Sequence, residues 1–213
     1  MNHIRLNKIL PNVFSGSSDT RSDIWEKDVY FEKGKSYLLK ADSGRGKSSL
    51  CSYIYGYRSD YSGQIFFDNV NTQDSKANWD DIRSRHISLL FQELRLFPEL
   101  TALENIQLKN NLTHYKTQDQ IEHWLDILDI ADRKDFPVGK MSWGQQQRVA
   151  IIRSLCQPFD FLFLDEPISH LDDKNAQIVA QLIEEEVANQ GAGLLATSIG
   201  KDLPLNYTQI WML

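Results

Sequence analysis

Cysteine is nearly absent from this chain of 213 residues, which carries only Cys51 and Cys156. Neither stands in a metal-ligand spacing, so both read as packed thiols on helices in a reducing compartment. A positive excess is missing as well: 23 basic residues face 29 acidic ones, a net charge of -6. That balance argues against a broad nucleic-acid-binding face, but not against a local phosphate site held by backbone dipoles. No apolar run approaches the roughly 18 residues of a membrane span. The N-terminal stretch MNHIRLNKILPNVF lacks the apolar core of a secretory signal. Repeats and low-complexity tracts are absent. What remains is an ordinary globular composition, 41% hydrophobic and 24% charged. The length suits one domain, or one domain carrying an inserted subdomain.

Against that background residues 41 to 49 stand out: Ala41, Asp42, Ser43, Gly44, Arg45, Gly46, Lys47, Ser48 and Ser49. The apolar run Tyr37-Leu38-Leu39 leads in, and Leu50 to Ile54 continue with helical character. This is the strand, glycine-rich turn and helix of a phosphate-binding loop. A polyphosphate is densely anionic, so the loop must bring several backbone N–H groups close to it. Gly44 and Gly46 allow that approach because they lack a Cβ, and a helix starting near Lys47 adds the positive end of its dipole. Lys47 would reach the β- and γ-phosphates, and the Ser48 hydroxyl would ligate Mg²⁺. The strict pattern has glycine where this chain has Ala41.

Along the rest of the chain, residues 12 to 23 read as a polar loop. Gln64 to Phe67 read as a strand ending in an Asp68-Asn69 turn, and His86 to Phe91 as a buried strand. From about 93 to 155 the pattern is helical. Thr117 to Gln120 fits a capping box, with Ile121, Trp124, Leu125 and Leu128 on one face. Phe161 to Leu164 precede a helix whose apolar face is Ile178, Val179, Leu182 and Ile183 and whose stop is Gly191. Leu194 to Thr197 and Gln209 to Leu213 read as closing strands, with no room for an appended regulatory domain. Apolar strands alternating with amphipathic helices imply a mostly parallel sheet covered on both faces.

Phe161-Leu162-Phe163-Leu164-Asp165-Glu166-Pro167 ends an apolar strand in two carboxylates. That order puts Asp165 at the carboxyl edge of the sheet, where α/β ligand sites form. There it would hold Mg²⁺ through water beside Ser48, leaving Glu166 to orient and deprotonate an attacking water. A third motif, Met141-Ser142-Trp143-Gly144-Gln145, leads through Gln146, Gln147, Arg148, Val149 and Ala150 into a helix.

Together these three motifs resemble the ATP-binding cassette (ABC) family of transport ATPases, whose signature reads L-S-G-G-Q before a helix. The resemblance implies that Ser142 and Gly144, with Gln145 beside them, contact the γ-phosphate of ATP bound to an opposite subunit. A hydroxyl, backbone amides and a helix N-terminus do make an anion site. Trp143 takes a glycine's place in the signature. Gln92 resembles the Q-loop glutamine that senses Mg²⁺ and the attacking water. Leu96 to Ile106 resemble the start of the helical subdomain that faces the membrane partner. Ser169-His170-Leu171-Asp172 resembles the D-loop, which crosses the dimer interface and brings Asp172 to the nucleotide. Five motifs in family order span residues 41 to 172.

The chain departs from the family's pattern in one place and leaves another open. The family places a histidine after the strand equivalent to Leu194 to Thr197, where it contacts the γ-phosphate; Ser198 stands there instead. Serine donates a hydrogen bond but offers no imidazole, so the expectation is slow hydrolysis or heavier reliance on Glu166. His170 belongs to the D-loop and is no substitute. For the adenine-stacking aromatic, Phe14 is the candidate, Trp25 and Tyr30 reading as strand residues packed into the core.

The fold so implied is α/β, a RecA-like P-loop core at about 1–92 and 156–213 with an antiparallel β flank and a helical subdomain at about 93–155, all forming one ATP-binding domain. The implied function is ATP binding and hydrolysis with Mg²⁺ in a head-to-tail dimer, with a second copy or a related cassette as partner. Closure on ATP would drive separate membrane permease subunits, the engine being ATP's differential affinity for the closed state. Such a subunit is expected in the cytoplasm, held to the inner face of the cell membrane through the permease. The run FQELRLFPELTALENI resembles cassettes of the lipoprotein-release and macrolide-export type. The alternative is an ATP-dependent regulatory or scaffold subunit that hydrolyses poorly because of Ser198. Retention of Lys47, Asp165, Glu166 and Gln92 argues for turnover. Related DNA-repair and chromosome-structure ATPases carry coiled-coil or zinc insertions that this chain lacks, and nucleic acid is not an expected partner.

Overall fold

The computed structural model describes residues 1–16, 22–74 and 77–213. Residues 17–21 of the loop expected over 12–23 lie outside the described residues. In chain order the elements are β1 (His3–Pro11), β2 (Asp28–Glu32), β3 (Ser36–Lys40), α1 (Lys47–Ile54), β4 (Tyr61–Phe67) and β5 (Val70–Asn71). The short α2 (Trp79–Asp81) runs on into a π-helical stretch, Ile82–His86, before β6 (Ile87–Leu90). Then come α3 (Ala102–Asn110), α4 (Gln118–Ile127), α5 (Trp143–Leu155), β7 (Phe161–Leu164), α6 (Asp173–Gln190), β8 (Gly193–Ser198) and β9 (Gln209–Met212).

Two sheets organise them. An antiparallel sheet has the order β2-β1-β4-β5, and a five-stranded sheet has the order β6-β7-β8-β3-β9. All four pairings of the second sheet are parallel. Residues of β6, β7 and β8 are buried without exception, the mark of strands covered on both faces. Alternate side chains go to opposite sides. Leu38, Leu90, Leu162, Leu164, Leu194 and Ala196 join one apolar cluster with residues of α3 to α6. Tyr37, Leu39, Leu89, Phe161, Phe163 and Leu195 join a second cluster with α1 and the antiparallel sheet. The parallel sheet is therefore the wall between two cores, and its carboxyl edge is where the loops after β3, β6, β7 and β8 gather.

The helical stretch between β6 and β7 forms for local reasons. Thr101, Thr117 and Ser142 each begin a helix with a reciprocal capping box, to Glu104, Gln120 and Gln145. Ile121, Trp124, Leu125 and Leu128 are buried on one face as their spacing requires. Lys116 reaches from this region to Glu186 on α6, Nζ to Oε2 2.8 Å, with both side chains under 10% exposed (8% and 4%). α6 ends at Gly191 in the left-handed conformation, φ 58°.

Three expectations are corrected. Cys156 is not within a helix but caps the C-terminus of α5; it is buried, as is Cys51 within α1. Trp25 belongs to the loop before β2 rather than to a strand, although it is buried. Tyr30 lies in β2 with 45% of its surface exposed, because its position in the alternation points away from the core, where Arg5 stacks over its ring.

Candidate functional site

The phosphate-binding loop leaves β3 at Lys40 and enters α1 at Lys47. Gly44 and Gly46 both hold left-handed backbone, φ 79° and 96°. At Gly46 the restriction is double: a Cβ there would lie 2.9 Å from the Trp25 ring and 3.2 Å from the Phe14 ring. The Trp25 indole N–H also donates to the Arg45 carbonyl at 3.3 Å, so Trp25 braces the loop from beneath. Lys47 is buried, and its ammonium donates to the carbonyls of Ala41 (2.7 Å) and Asp42 (2.9 Å). Burial pulls its pKa below the ordinary lysine value, opposed by the carboxylates of Glu166, Asp165 and Asp42.

Asp165 follows β7 and is buried. Thr197, at the end of the neighbouring β8, donates its hydroxyl proton to Asp165 Oδ1 at 2.7 Å and accepts from the Glu166 backbone N–H at 3.1 Å. Burial raises the Asp165 carboxyl above the usual aspartate range, while the Ser48 and Thr197 hydroxyls pull it back down. Glu166 adopts φ 53°, rare for a residue with a side chain, and is half-buried. Burial first, and then the Asp165 charge, push its pKa up, with Lys47 opposing. A carboxylate whose proton affinity is raised beside a neighbour already committed to a hydroxyl is suited to general-base work. Gln92 lies two residues beyond β6, and its Oε1 accepts from the Ser48 hydroxyl at 3.2 Å. Ser48, Gln92 and Asp165 make an all-oxygen donor set. That suits a hard divalent cation such as Mg²⁺, which keeps waters and takes one or two protein ligands beside phosphate.

Ser198 is buried, and its hydroxyl is engaged inside its own turn, donating to the Lys201 carbonyl (3.1 Å) and accepting from the Gly200 N–H (3.2 Å). A cleft of about 520 Å³ runs beside the phosphate-binding loop, lined by Ala41, Asp42, Arg45, Ser198 and Gly200 among others.

The residues of the signature motif form a separate cluster with the D-loop. Ser142 caps α5, its hydroxyl accepting from Gln145 N–H at 3.3 Å while Gln145 Oε1 accepts from Ser142 N–H at 2.9 Å. Gly144 packs so closely that a Cβ there would lie 3.0 Å from the His170 carbonyl oxygen. The rings of Trp143 and His170 lie 5.4 Å apart, and Trp143 is 47% exposed. Asp172 caps α6 by accepting from Asn175 N–H at 2.8 Å, and the Asn175 bonds hold its pKa below the usual range.

Two residues that the motif reading passed over prove central. Thr197 joins the Asp165 carboxylate to the Glu166 backbone, as above. Gln147 is 1% exposed and ties the signature helix to the D-loop. Its carboxamide donates to the Glu166 carbonyl (3.2 Å) and accepts from His170 N–H (3.2 Å). A buried side-chain amide needs such partners, but nothing in the string of three glutamines singles out Gln147, the last of them, from the other two, beyond its place on the helix. Phe14 sits half-buried, its ring centroid 6.3 Å from that of Trp25, at the edge of the loop's Gly46.

The loop, the paired carboxylates and the signature helix on this α/β framework define a nucleotide-binding ATPase cassette. The chain belongs to the ABC transporter family, whose sequence profile matches residues 26–169. It is 34% identical over 175 residues to the lipoprotein-releasing system ATP-binding protein LolD of Koribacter versatilis, covering 79% of this chain and 77% of that one. It is 31% identical over 170 residues to the glutamate/glutamine/aspartate/asparagine transport ATP-binding protein BztD of Rhodobacter capsulatus, covering 78% and 64%. The dimeric structure of the bacterial ABC transporter cassette MJ0796 superposes with a TM-score of 0.78 over 92% of this chain and 87% of that one, at 23% identity, a likeness of fold. The chain is thus an ATP-binding subunit and ATPase of this family, whose members dimerise and work with membrane permease subunits. Among the described residues no helix is long and apolar enough to cross a membrane.

Proposed function

We propose that this site hydrolyses ATP with Lys47 on the β- and γ-phosphates, Ser48 and Asp165 holding Mg²⁺, Gln92 sensing it, and Glu166 as the base. The observation that carries this reading is the convergence at one sheet edge. Ser48 bonds Gln92, and Thr197 bonds both the Asp165 carboxylate and the Glu166 backbone N–H. Glu166 accepts the proton of the attacking water, which Gln92 helps to orient. Lys47 exchanges the carbonyls of Ala41 and Asp42 for phosphate oxygens, and the N–H groups from Gly44 to Ser49 supply the rest of the cradle. Mg²⁺ would neutralise charge on the β- and γ-oxygens. Phe14 offers its ring to adenine at the rim of the loop.

The signature cluster around Ser142, Gly144 and Gln145, with Asp172, faces the nucleotide of a second copy or related cassette in a head-to-tail dimer. The helical part at about 93–155 meets a separate permease and places the subunit at the inner membrane face. Likeness to the lipoprotein-releasing ATPase supports an extruding, mechanical transporter. Steady-state ATPase of wild type beside Glu166→Gln tests the base, and sizing with ATP tests the dimer. Abolished turnover with a doubled mass for Glu166→Gln is the expected result, whereas retained turnover removes the base from Glu166.

One observation favours a second reading, a nucleotide-gated regulatory subunit with weak hydrolysis: the Ser198 hydroxyl is satisfied by Gly200 and Lys201 rather than free for phosphate. Negligible turnover in the wild type together with a gain in Ser198→His would establish it.

A further inference from the structure

The turn that carries Gln92 is strained and is held from outside. Leu94 and Arg95, two consecutive residues with side chains, both adopt left-handed backbone, φ 58° and 49°. Such residues rarely visit this region singly, and a pair persists only where surrounding structure over-determines it. Leu94 is anchored by burial, 2% exposed. The Arg95 guanidinium lies over the rings of Phe91 and Tyr57, 3.9 and 4.2 Å from their centroids.

The third restraint comes from another element. Arg153, near the C-terminus of α5, donates Nη1 to the Arg95 carbonyl at 2.7 Å and Nη2 to the Leu94 carbonyl. Both hydrogen bonds of the guanidinium therefore go to the two strained residues. Burial pulls the Arg153 pKa down to about 10, with Tyr55 opposing. The charge is set there at an electrostatic disadvantage, so its retention asks for a geometric reason. The planar fork supplies one, since its two N–H groups meet two adjacent carbonyls in a fixed geometry that the freely rotating ammonium of a lysine does not impose. α5 is also the helix that Ser142 of the signature motif caps, so one rigid rod joins the signature cluster to the turn behind Gln92.

We propose that Arg153 is a positioning residue for hydrolysis, a two-pronged clamp on the left-handed Leu94–Arg95 turn that fixes Gln92 at Ser48. The inference rests on the reading of Gln92 given above. It makes Arg153 act through Gln92 and through no contact of its own with nucleotide.

A double-mutant cycle on the full chain tests it, with wild type, Gln92→Ala, Arg153→Lys and the double variant compared by kcat, KM for ATP and thermal unfolding. Arg153→Lys keeps the charge and most of the aliphatic stem, so it is expected to fold. Misplacing a site group by an ångström costs about 10- to 100-fold in rate. Arg153→Lys is therefore expected to lower kcat by about that factor with KM changed less than roughly twofold. In the Gln92→Ala background the same change should have no further effect on kcat, because the clamp then holds nothing that acts. Multiplicative losses would overturn the clamp and leave Arg153 a general structural residue, as would an unchanged kcat in Arg153→Lys. If Gln92→Ala alone leaves kcat intact, the reading of Gln92 falls first, and the clamp's catalytic role falls with it.

Discussion

Thr197 and Asp165 are joined by a 2.7 Å hydrogen bond between neighbouring parallel strands, and the same threonine hydroxyl accepts the N–H of Glu166. One side chain thus fixes the carboxylate of Asp165 and the backbone that carries Glu166, the residues proposed above for metal and for water. Replacing it with valine keeps the shape and removes both bonds. A hydrogen bond to a charged group contributes about 1.5–3 kcal/mol, so Thr197→Val is expected to lower kcat by roughly 10- to 100-fold. Thr197→Ser, which keeps the hydroxyl, should stay much nearer wild type. Equal loss in both variants would show that packing rather than the hydroxyl matters.

Lys47 reads out the nucleotide step separately from chemistry. Lys47→Ala removes an ammonium that phosphate oxygens would engage, and charge-assisted bonds of this kind are worth about 1.5–3 kcal/mol. Weakening of ATP binding by about 10- to 100-fold in calorimetry is the expected outcome. Unchanged affinity would remove Lys47 from the phosphate site.

Glu166 carries a pH signature. Its pKa is raised above the ordinary glutamate value, by burial first and then by Asp165, and a base works only when ionised. The acid limb of kcat should therefore fall as pH drops through a value above that of free glutamate, and Glu166→Gln should abolish turnover across the range. The stability consequence has the opposite sense to that of a paired carboxylate. Ionising Glu166 disfavours the folded state, a penalty absent below the unfolded pKa and complete above the folded one. Glu166→Gln should accordingly unfold at a higher temperature than wild type at neutral pH and show no such gain in acid. A lower melting temperature at neutral pH would contradict the assigned shift.

Lys116 and Glu186 test the packing of the helical part on α6. Breaking one partner of a buried pair strands the other charge, at about 3–5 kcal/mol. Lys116→Met is expected to lose that much in denaturant unfolding. Lys116→Met with Glu186→Leu should recover most of it, since apolar side chains of similar size replace buried pairs at little loss. No recovery in the double variant would mean that Lys116 acts through its stacking over Trp124 instead.

Legibility in the sequence followed the range of the interaction. The loop from Ala41 to Ser49, the strand ending in Asp165 and Glu166, the capping box at Thr117 and the stop at Gly191 are each made by residues within a few positions of one another. Their backbone and hydrogen-bond demands are therefore written in contiguous residue types, and even the order of the motifs could be read. The alternation of parallel strands and helices was legible for the same reason. Tyr30 and Trp25 were misplaced because aromatic character alone does not tell which face of a strand, or which loop, a ring will occupy.

Thr197, Gln147 and Arg153 belong to the other class. Thr197 meets Asp165 because β7 and β8 pair with Leu164 opposite Ala196, a register that strand composition does not specify. Gln147 finds the D-loop and Arg153 the strained turn at Leu94 and Arg95 only once α5 is packed, across separations of 23 and 58 residues. By itself the sequence determined which chemistry the chain carries, because that chemistry resides in local motifs. Tertiary structure alone decided which polar side chains hold the motifs in place, because a buried donor is satisfied by whatever acceptor the packed fold brings within reach.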